Sequence, residues 1–473
     1  MKKYLFAAFF VSGWLLISNA QSVTGFAGTW QGTLQVGMDL RIVFHIRDDG
    51  KGGYTATADS PDQSAYGLKC DKTSASGNEI TITMDDLRAS YTGKLVNDTT
   101  ITGTFIQGAE LPLTLVKKEK IEERKRPQTP RPPFPYRSED IVFSTGDGSL
   151  TYGATLTIPE GKGPFPAALL ITGSGAQNRD EEIFGHKPFA VIADHLTRKG
   201  IIVMRVDDRG VGKSTGNFQL ATSADFATDV NNSLDYLLAR PETDPKKTGL
   251  IGHSEGGMIA PMVAANRKNI AFVILLAGPG VQIIDLMAEQ NEAVARSSGV
   301  SEKALPEIKP LFREIARANL RSKDSSEAFS GALAAVESWA AGKDPAILNE
   351  LQLSTREERE KYIENSNKSL QTPWFRYFLA FDPGPYLEKL KCKVLALNGD
   401  RDIQVVASQN LQGIEASLKK GRSKEYKVIS LPGLNHLFQT CQTCTIREYA
   451  QLEETFSPVA LNIISDWLEK QLR

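Results

Sequence analysis

The chain has 473 residues, 41% of them hydrophobic and 23% charged, with a formal net charge of −1. That length exceeds one ordinary domain and predicts two or three units of ordinary soluble globular composition. The near-neutral balance excludes an electrostatic case for binding nucleic acid or an anionic membrane.

Met1-Lys2-Lys3 is a short basic start, Tyr4 to Ile17 an apolar run, and Ser18-Asn19-Ala20 a small-residue stretch before Gln21. This order reads as a secretory signal peptide over residues 1–20 and predicts an exported protein, periplasmic or extracellular. The run is too short to cross a bilayer comfortably, and no later stretch spans one.

Residues 23–117 read as a first unit. Leu40, Ile42, Phe44 and Ile46 alternate with polar residues, as do Ile80, Ile82 and Met84. Turn signals such as Asp48-Asp49-Gly50-Lys51-Gly52-Gly53 and Ser76-Gly77-Asn78 break the runs. Period-two alternation with such breaks predicts a small antiparallel β-barrel or sandwich. Gly28-Thr29-Trp30-Gln31-Gly32 with the strand pairs that follow is similar to lipocalin-type barrels. His45 reads as a strand-face histidine. Residues 118–137 read as a Pro-rich charged linker, with Arg124-Lys125-Arg126 followed by Pro127, Pro130, Pro132, Pro133 and Pro135. Such a segment is expected to be an extended, solvated spacer.

From residue 138 strands and helices alternate to the end of the chain. Ile141 to Phe143 and Thr155 to Ile158 read as a hairpin. Ala168 to Ile171, Ile201 to Val206, Leu250-Ile251, Phe272 to Leu276, Val394 to Leu397 and Tyr426 to Ile429 are the following apolar strands. Helices are expected at Phe189 to Arg198, Asp225 to Leu238, Met258 to Ala265 and Leu461 to Leu468. This order predicts an α/β fold, a doubly wound and mostly parallel sheet. An insertion at about 280–385 has amphipathic helical periodicity, as in Ala304 to Leu320 and Ala332 to Ala341, and suits a cap over a pocket.

Gly252-His253-Ser254-Glu255-Gly256-Gly257 lies between a predicted strand and a predicted helix. In that context Gly-x-Ser-x-Gly places Ser254 on a sharp turn at a helix N-terminus, as a nucleophile requires. A serine hydroxyl needs an imidazole to take its proton and a carboxylate to orient that imidazole. The chain has five histidines. His45 is in the other unit, His195 is mid-helix, His253 is beside the nucleophile and His186 follows an early loop. His436, in the loop after the last strand, is the candidate base. The loop after Val394 to Leu397 holds two carboxylates, Asp400 and Asp402.

With these residues in hand, the region from about Ile141 onward resembles an α/β-hydrolase-fold serine hydrolase. It is closest to the carboxylesterases and serine-aminopeptidase-like members that carry an extra N-terminal domain. The resemblance implies Asp402 as the acid, with Asp400 as the fallback, in the chain order Ser, Asp, His. It also implies an oxyanion hole from the N–H of Glu255 and one from Thr172-Gly173-Ser174-Gly175, assigned to Ser174 with Gly175 as a near alternative. Asp207-Asp208-Arg209-Gly210-x-Gly212-x-Ser214 resembles a structural turn of the same family, with Asp208 and Arg209 expected to pair.

The reaction implied is cleavage of carboxylic esters through an acyl-enzyme. Two readings compete with it: a serine aminopeptidase or prolyl-peptidase-like amide hydrolase, and an inactive binding protein on a hydrolase fold. The expected substrate is a small ester or short peptide, with no metal or organic cofactor. Sequence leaves the oligomeric state open. Cys441-Gln442-Thr443-Cys444 lacks the partners of a zinc or thioredoxin-like site, which leaves a local disulfide or two idle thiols.

Overall fold

A computed structural model describes residues 25–35, 39–63, 65–121, 124–423 and 425–472. The signal peptide expected at residues 1–20 lies outside the described residues. No helix among them is long and apolar enough to cross a membrane. The chain divides into two compact units, with the break near residue 122.

The first unit is one nine-stranded antiparallel sheet among the described residues, so the barrel expectation fits better than the sandwich. Its strands are β1 (Gly28–Gln35), β2 (Asp39–Asp48), β3 (Tyr54–Ser60), β4 (Ala65–Lys69), β5 (Lys72–Ser76), β6 (Glu79–Met84), β7 (Ala89–Asn97), β8 (Thr100–Gln107) and β9 (Ala109–Lys118). Spatial order is β4-β3-β2-β1-β9-β8-β7-β6-β5, and the sheet curls until β3 approaches β5. Alternation sends Trp30, Phe44, Ile80, Ile82, Tyr91 and Ile101 inward, all fully buried. Trp30 resolves its buried N–H on the Phe26 carbonyl at 2.7 Å, and Phe44 stacks on Tyr91. His45 bonds Asp59 at 2.8 Å on the strand face, as expected of a packing histidine.

The second unit holds an eight-stranded sheet. Its strands are β10 (Arg137–Ser144), β11 (Thr151–Ile158), β12 (Phe165–Ile171), β13 (Ile202–Val206), β14 (Thr243–His253), β15 (Phe272–Leu276), β16 (Lys393–Gly399) and β17 (Tyr426–Leu431). The order is β10-β11-β13-β12-β14-β15-β16-β17. β10 and β11 form the expected hairpin, β11 meets β13 antiparallel, and the remaining neighbours are parallel. β15 and most of β12, β14 and β16 are buried on both faces, which explains their unbroken apolar runs.

Helices α1 (Pro188–Arg198), α2 (Ser223–Ala239) and α3 (Glu255–Ala264) follow β12, β13 and β14 in turn. α2 starts two residues before the periodicity does, because Thr222 and Asp225 form a reciprocal capping box. The insertion after β15 is helical throughout. It comprises α4 (Ile283–Ser297), α5 (Leu305–Arg321), α6 (Ser325–Ala340), α7 (Pro345–Glu350), α8 (Arg356–Leu370), α9 (Pro373–Ala380) and α10 (Gly384–Leu387). Asp324, Asp344, Thr355 and Thr372 cap α6 to α9 through their side chains, a signal local enough to read from sequence. After β16 come α11 (Ala407–Lys420), and after β17 α12 (Ile446–Tyr449) and α13 (Pro458–Leu472).

The solvated spacer expected at residues 118–137 is not what residues 126–136 form. Arg126 donates to the carbonyls of Phe184, Ala450 and Leu452, and Gln128 bonds the backbone of Thr455 and Phe456. Tyr136 donates to Asp194 on α1 at 2.8 Å. Composition suggested a tether because proline and arginine favour extension. Carbonyl groups left over by the loops around Phe184 and Ala450 supply partners that composition does not reveal.

Candidate active site

β14 runs into α3 through a single residue. Ser254 sits between them at φ 52° and ψ −117°, a backbone that non-glycine residues adopt at a cost of roughly 1–3 kcal/mol. The turn is held by Ser254 N–H donating to Leu276 O at 2.8 Å and Gly257 N–H donating to Ser254 O at 2.9 Å. The flanking glycines are required by space. A Cβ on Gly252 would lie 2.0 Å from the Gly256 carbonyl oxygen, and one on Gly256 would lie 2.2 Å from the Ile171 carbonyl oxygen. Both obstacles are main chain and cannot rotate away. Gly256→Ala is therefore expected to destabilise the protein by about 3 kcal/mol or more, read as a lower urea midpoint.

His436 stands in the loop after β17. The loop is braced by Asn435, whose buried Oδ1 accepts from Leu437 and Gln439 N–H at 3.0 and 2.9 Å. His436 Nε2 lies 3.1 Å from Ser254 Oγ, and its Nδ1 lies 2.8 Å from Asp402 Oδ2. Asp402 is buried, and its other oxygen accepts the N–H groups of Gln404 and Val405 at 2.7 and 2.9 Å. Asp400 turns away and accepts Gly433 N–H at 2.7 Å, pinning the His436 loop from outside. The three side chains brought together are thus Ser254, His436 and Asp402, from three loops at one edge of the sheet. With Nδ1–H given to Asp402, Nε2 is left with a lone pair facing the serine hydroxyl.

A strand, a strained serine turn and a helix now sit on the mixed eight-stranded sheet, with Asp402 and His436 on later loops. This is the α/β-hydrolase fold.

Parts of the chain are similar to known proteins. A family model described as serine aminopeptidase, S33, matches residues 187–379. The match takes in Ser254 and most of the helical insertion of this α/β-hydrolase unit, and ends before Asp402 and His436. Esterase EstD of Thermotoga maritima is 34% identical over 158 residues, 33% of this chain and 36% of that protein. Acyl-coenzyme A thioesterase 3 of Mus musculus is 25% identical over 162 residues, 34% of each. The chain therefore spans about a third of the length of these relatives. Among solved structures, the Pyrococcus furiosus esterase Pf2001 overlaps 75% of this chain and all of its own, at 13% identity and a TM-score of 0.44.

The loop after β12 passes close to Ser254 of the α/β-hydrolase unit. A Cβ on Gly173 would fall 3.2 Å from Ser254 Cβ. The Gly173 N–H is committed to Glu181 Oε1 at 2.6 Å. Asp208 holds the same loop by accepting from Thr172 Oγ1 at 2.7 Å and Gln177 N–H at 2.9 Å. Asp208 and Arg209 do not pair with each other, contrary to expectation. Arg209 forks onto Asp229 with two bonds of 2.7 Å, because α2 offers a carboxylate in bidentate reach. The rest of the turn is structural as expected: Ser214 Oγ donates to Asp207 O at 2.8 Å, and Arg179 forks onto Asp207.

Two contributors were not legible in sequence. The Glu255 side chain is buried and receives Ser223 Oγ at 2.6 Å and Trp374 Nε1 of α9 at 2.9 Å. It joins the insertion to the residue after Ser254. Burial raises the Glu255 carboxyl above its usual range, and hydrogen bonds from Ser223, Trp374 and Ser174 offset this in part. Glu255 and Asp208 border a cavity of about 50 Å³, lined also by Thr172, Gly175, Phe226 and Ile259. The other contributor is the pair His253 and Glu181, with nitrogen and oxygen 2.9 Å apart.

Burial, with the nearby Glu255 and Glu181, pushes the Asp208 carboxyl up to about 8 against the hydrogen bonds from Thr172 and Gln177. The folded state therefore holds a proton that the unfolded chain releases near pH 4. Its stabilising effect is present below that pH and is lost as pH rises towards 8. Thermal unfolding should consequently show Tm falling between pH 5 and 8. Asp208→Asn should flatten that fall; a slope identical to wild type would contradict the assignment.

The remaining histidines lie elsewhere. His186 is buried between Thr455 Oγ1 and the Tyr449 carbonyl, at 2.9 and 3.0 Å, where burial and Arg126 hold it down to about 3. His195 lies in the last turn of α1 and not, as expected, in mid-helix. Cys441 and Cys444 form a disulfide. Glu448 beside it is committed to the N–H groups of Gln442 and Cys444 and the Thr443 hydroxyl, which makes it a brace for that turn.

Proposed function

We propose that this protein hydrolyses carboxylic esters through an acyl-enzyme on Ser254. The observation that carries this reading is the continuous reach from Ser254 Oγ to His436 Nε2 and from His436 Nδ1 to Asp402, at 3.1 and 2.8 Å. In this scheme His436 Nε2 takes the Ser254 proton as Oγ attacks the ester carbonyl. The carbonyl oxygen becomes negative and is met by the N–H of Glu255, at the positive end of α3, and by that of Ser174 or Gly175. His436 then returns the proton to the departing alkoxide. Water attacks the acyl-enzyme, gives its proton to His436, and Ser254 recovers it as the acid leaves. Asp402 keeps the imidazole in the required tautomer and stabilises its charged form.

The relatives named as esterase and thioesterase support an acyl–oxygen or acyl–sulfur substrate. The family description, serine aminopeptidase, supports amide hydrolysis as the second reading. The insertion at 280–385 is assigned as a cap on the acyl pocket, supported by the Trp374 bond to Glu255. Export to an oxidising compartment is supported by the leader-like residues 1–20 and the Cys441–Cys444 disulfide.

The test is a panel of acyl-nitrophenyl esters run beside aminoacyl-anilides, on wild type and Ser254→Ala, with a fluorophosphonate probe. Ester turnover lost in the variant supports the proposal. Turnover of anilides alone moves the assignment to a peptidase. No turnover and no Ser254 adduct would leave only a binding role.

A further inference from the structure

Two buried side chains that the acyl-transfer scheme does not use connect its two halves. Glu181 Oε1 accepts the N–H of Gly173, in the loop assigned to the oxyanion, and faces His253 Nδ1. His253 Nε2 lies 3.0 Å from the main-chain oxygen of His436. A carbonyl oxygen can only accept, so Nε2 carries a hydrogen. Nδ1 meets a carboxylate, so the pair shares one further proton.

The surroundings decide where that proton resides. The two side chains are 8% and 7% exposed. Phe189 and Ile192 of α1, with Leu276, Leu437 and Phe456, line a small apolar void beside them. Burial works against the imidazolium, but the Glu181 carboxylate, the His436 carbonyl and the Asp402 charge outweigh it and raise His253 above its ordinary value. The titratable groups facing His253 are therefore Glu181, from the loop after β12, Asp402, from the loop after β16, and the His436 ring, with centroids 4.9 Å apart. α1 presents only apolar groups in the void. Glu181 itself is held at φ 51°, a backbone strain that its two bonds help to sustain.

We propose that Glu181 and His253 are positioning residues for acyl transfer: a bridge holding the oxyanion loop, through Gly173, and the base loop, through His436, in one geometry. The bridge rests on the reading of Ser254, His436 and Asp402 as the reacting set. It deepens that reading by making the Gly173 and His436 main chains mutually dependent.

The experiment uses the full chain with p-nitrophenyl acetate between pH 5 and 9, on Glu181→Gln, His253→Gln and the double variant. Each single change should lower kcat about 10- to 100-fold with KM within about twofold, because the reacting groups are displaced and the substrate contacts are not. The double variant should lose no more than the worse single, since either change breaks the same connection. In wild type, nitrogen-detected NMR at pH 7.5 should show both His253 nitrogens protonated, a readout that does not depend on any variant folding. Singles within twofold of wild type in kcat, additive losses, or a His253 nitrogen lacking its hydrogen would each overturn the bridge. Wild type with no turnover and no fluorophosphonate adduct overturns the hydrolase reading and the bridge together. An active wild type with near-normal variants overturns the bridge alone.

Discussion

Ser254→Ala is expected to reduce kcat for ester hydrolysis by roughly 10⁶-fold and to abolish labelling by fluorophosphonates, while the protein stays folded. The reason is geometric. Ser254 Oγ is the atom 3.1 Å from His436 Nε2, at the apex of a turn whose glycines are packed against fixed carbonyl oxygens. Removing one oxygen from that apex relieves no crowding and opens no apolar cavity, so stability should change by less than about 1 kcal/mol. A calorimetric scan separates the two effects: unchanged Tm with lost turnover assigns Ser254 to the chemistry. Residual turnover near wild type would place the reaction on another group.

Asp402→Asn is expected to lower kcat by roughly 10⁴-fold, and Asp400→Asn by far less. The carboxylates are two positions apart in one loop yet do different work. Asp402 is buried against His436 Nδ1, so an amide there can turn an N–H towards the ring and favour the tautomer in which Nε2 carries the hydrogen. The imidazole then has no lone pair for the serine proton. Asp400 is exposed and receives Gly433 N–H, a bond that an amide oxygen can still accept, so its amide variant keeps the loop and leaves the His436–Asp402 contact intact. Steady-state kinetics on both variants with one ester decides the matter. Equal losses would contradict the assignment of Asp402.

Ser254 was legible because its surroundings are contiguous: an apolar strand, two glycines four apart and a helix. His436 was legible because sheet order brings a loop after the last strand to the same edge. The strands of the second unit were legible from unbroken apolar runs, which only a sheet covered on both faces demands. Helix ends such as Thr222 and Thr355 follow from side chains within one turn of the backbone they cap.

Contacts between distant segments were not legible in this way. Glu181 is 72 positions from His253, and nothing near either announces the other. Trp374 reaches Glu255 across 119 positions. Arg209 chose Asp229 over its neighbour Asp208 because the next helix offers two oxygens at the right spacing, a fact of orientation that adjacency cannot convey. Residues 126–136 lie along the hydrolase unit for the same reason: carbonyl groups far along the chain needed donors. Periodicity and turn chemistry act over a few residues and are written in the order of the chain. Pairing of buried charges and leftover backbone groups depends on which surfaces meet, and that is settled by packing.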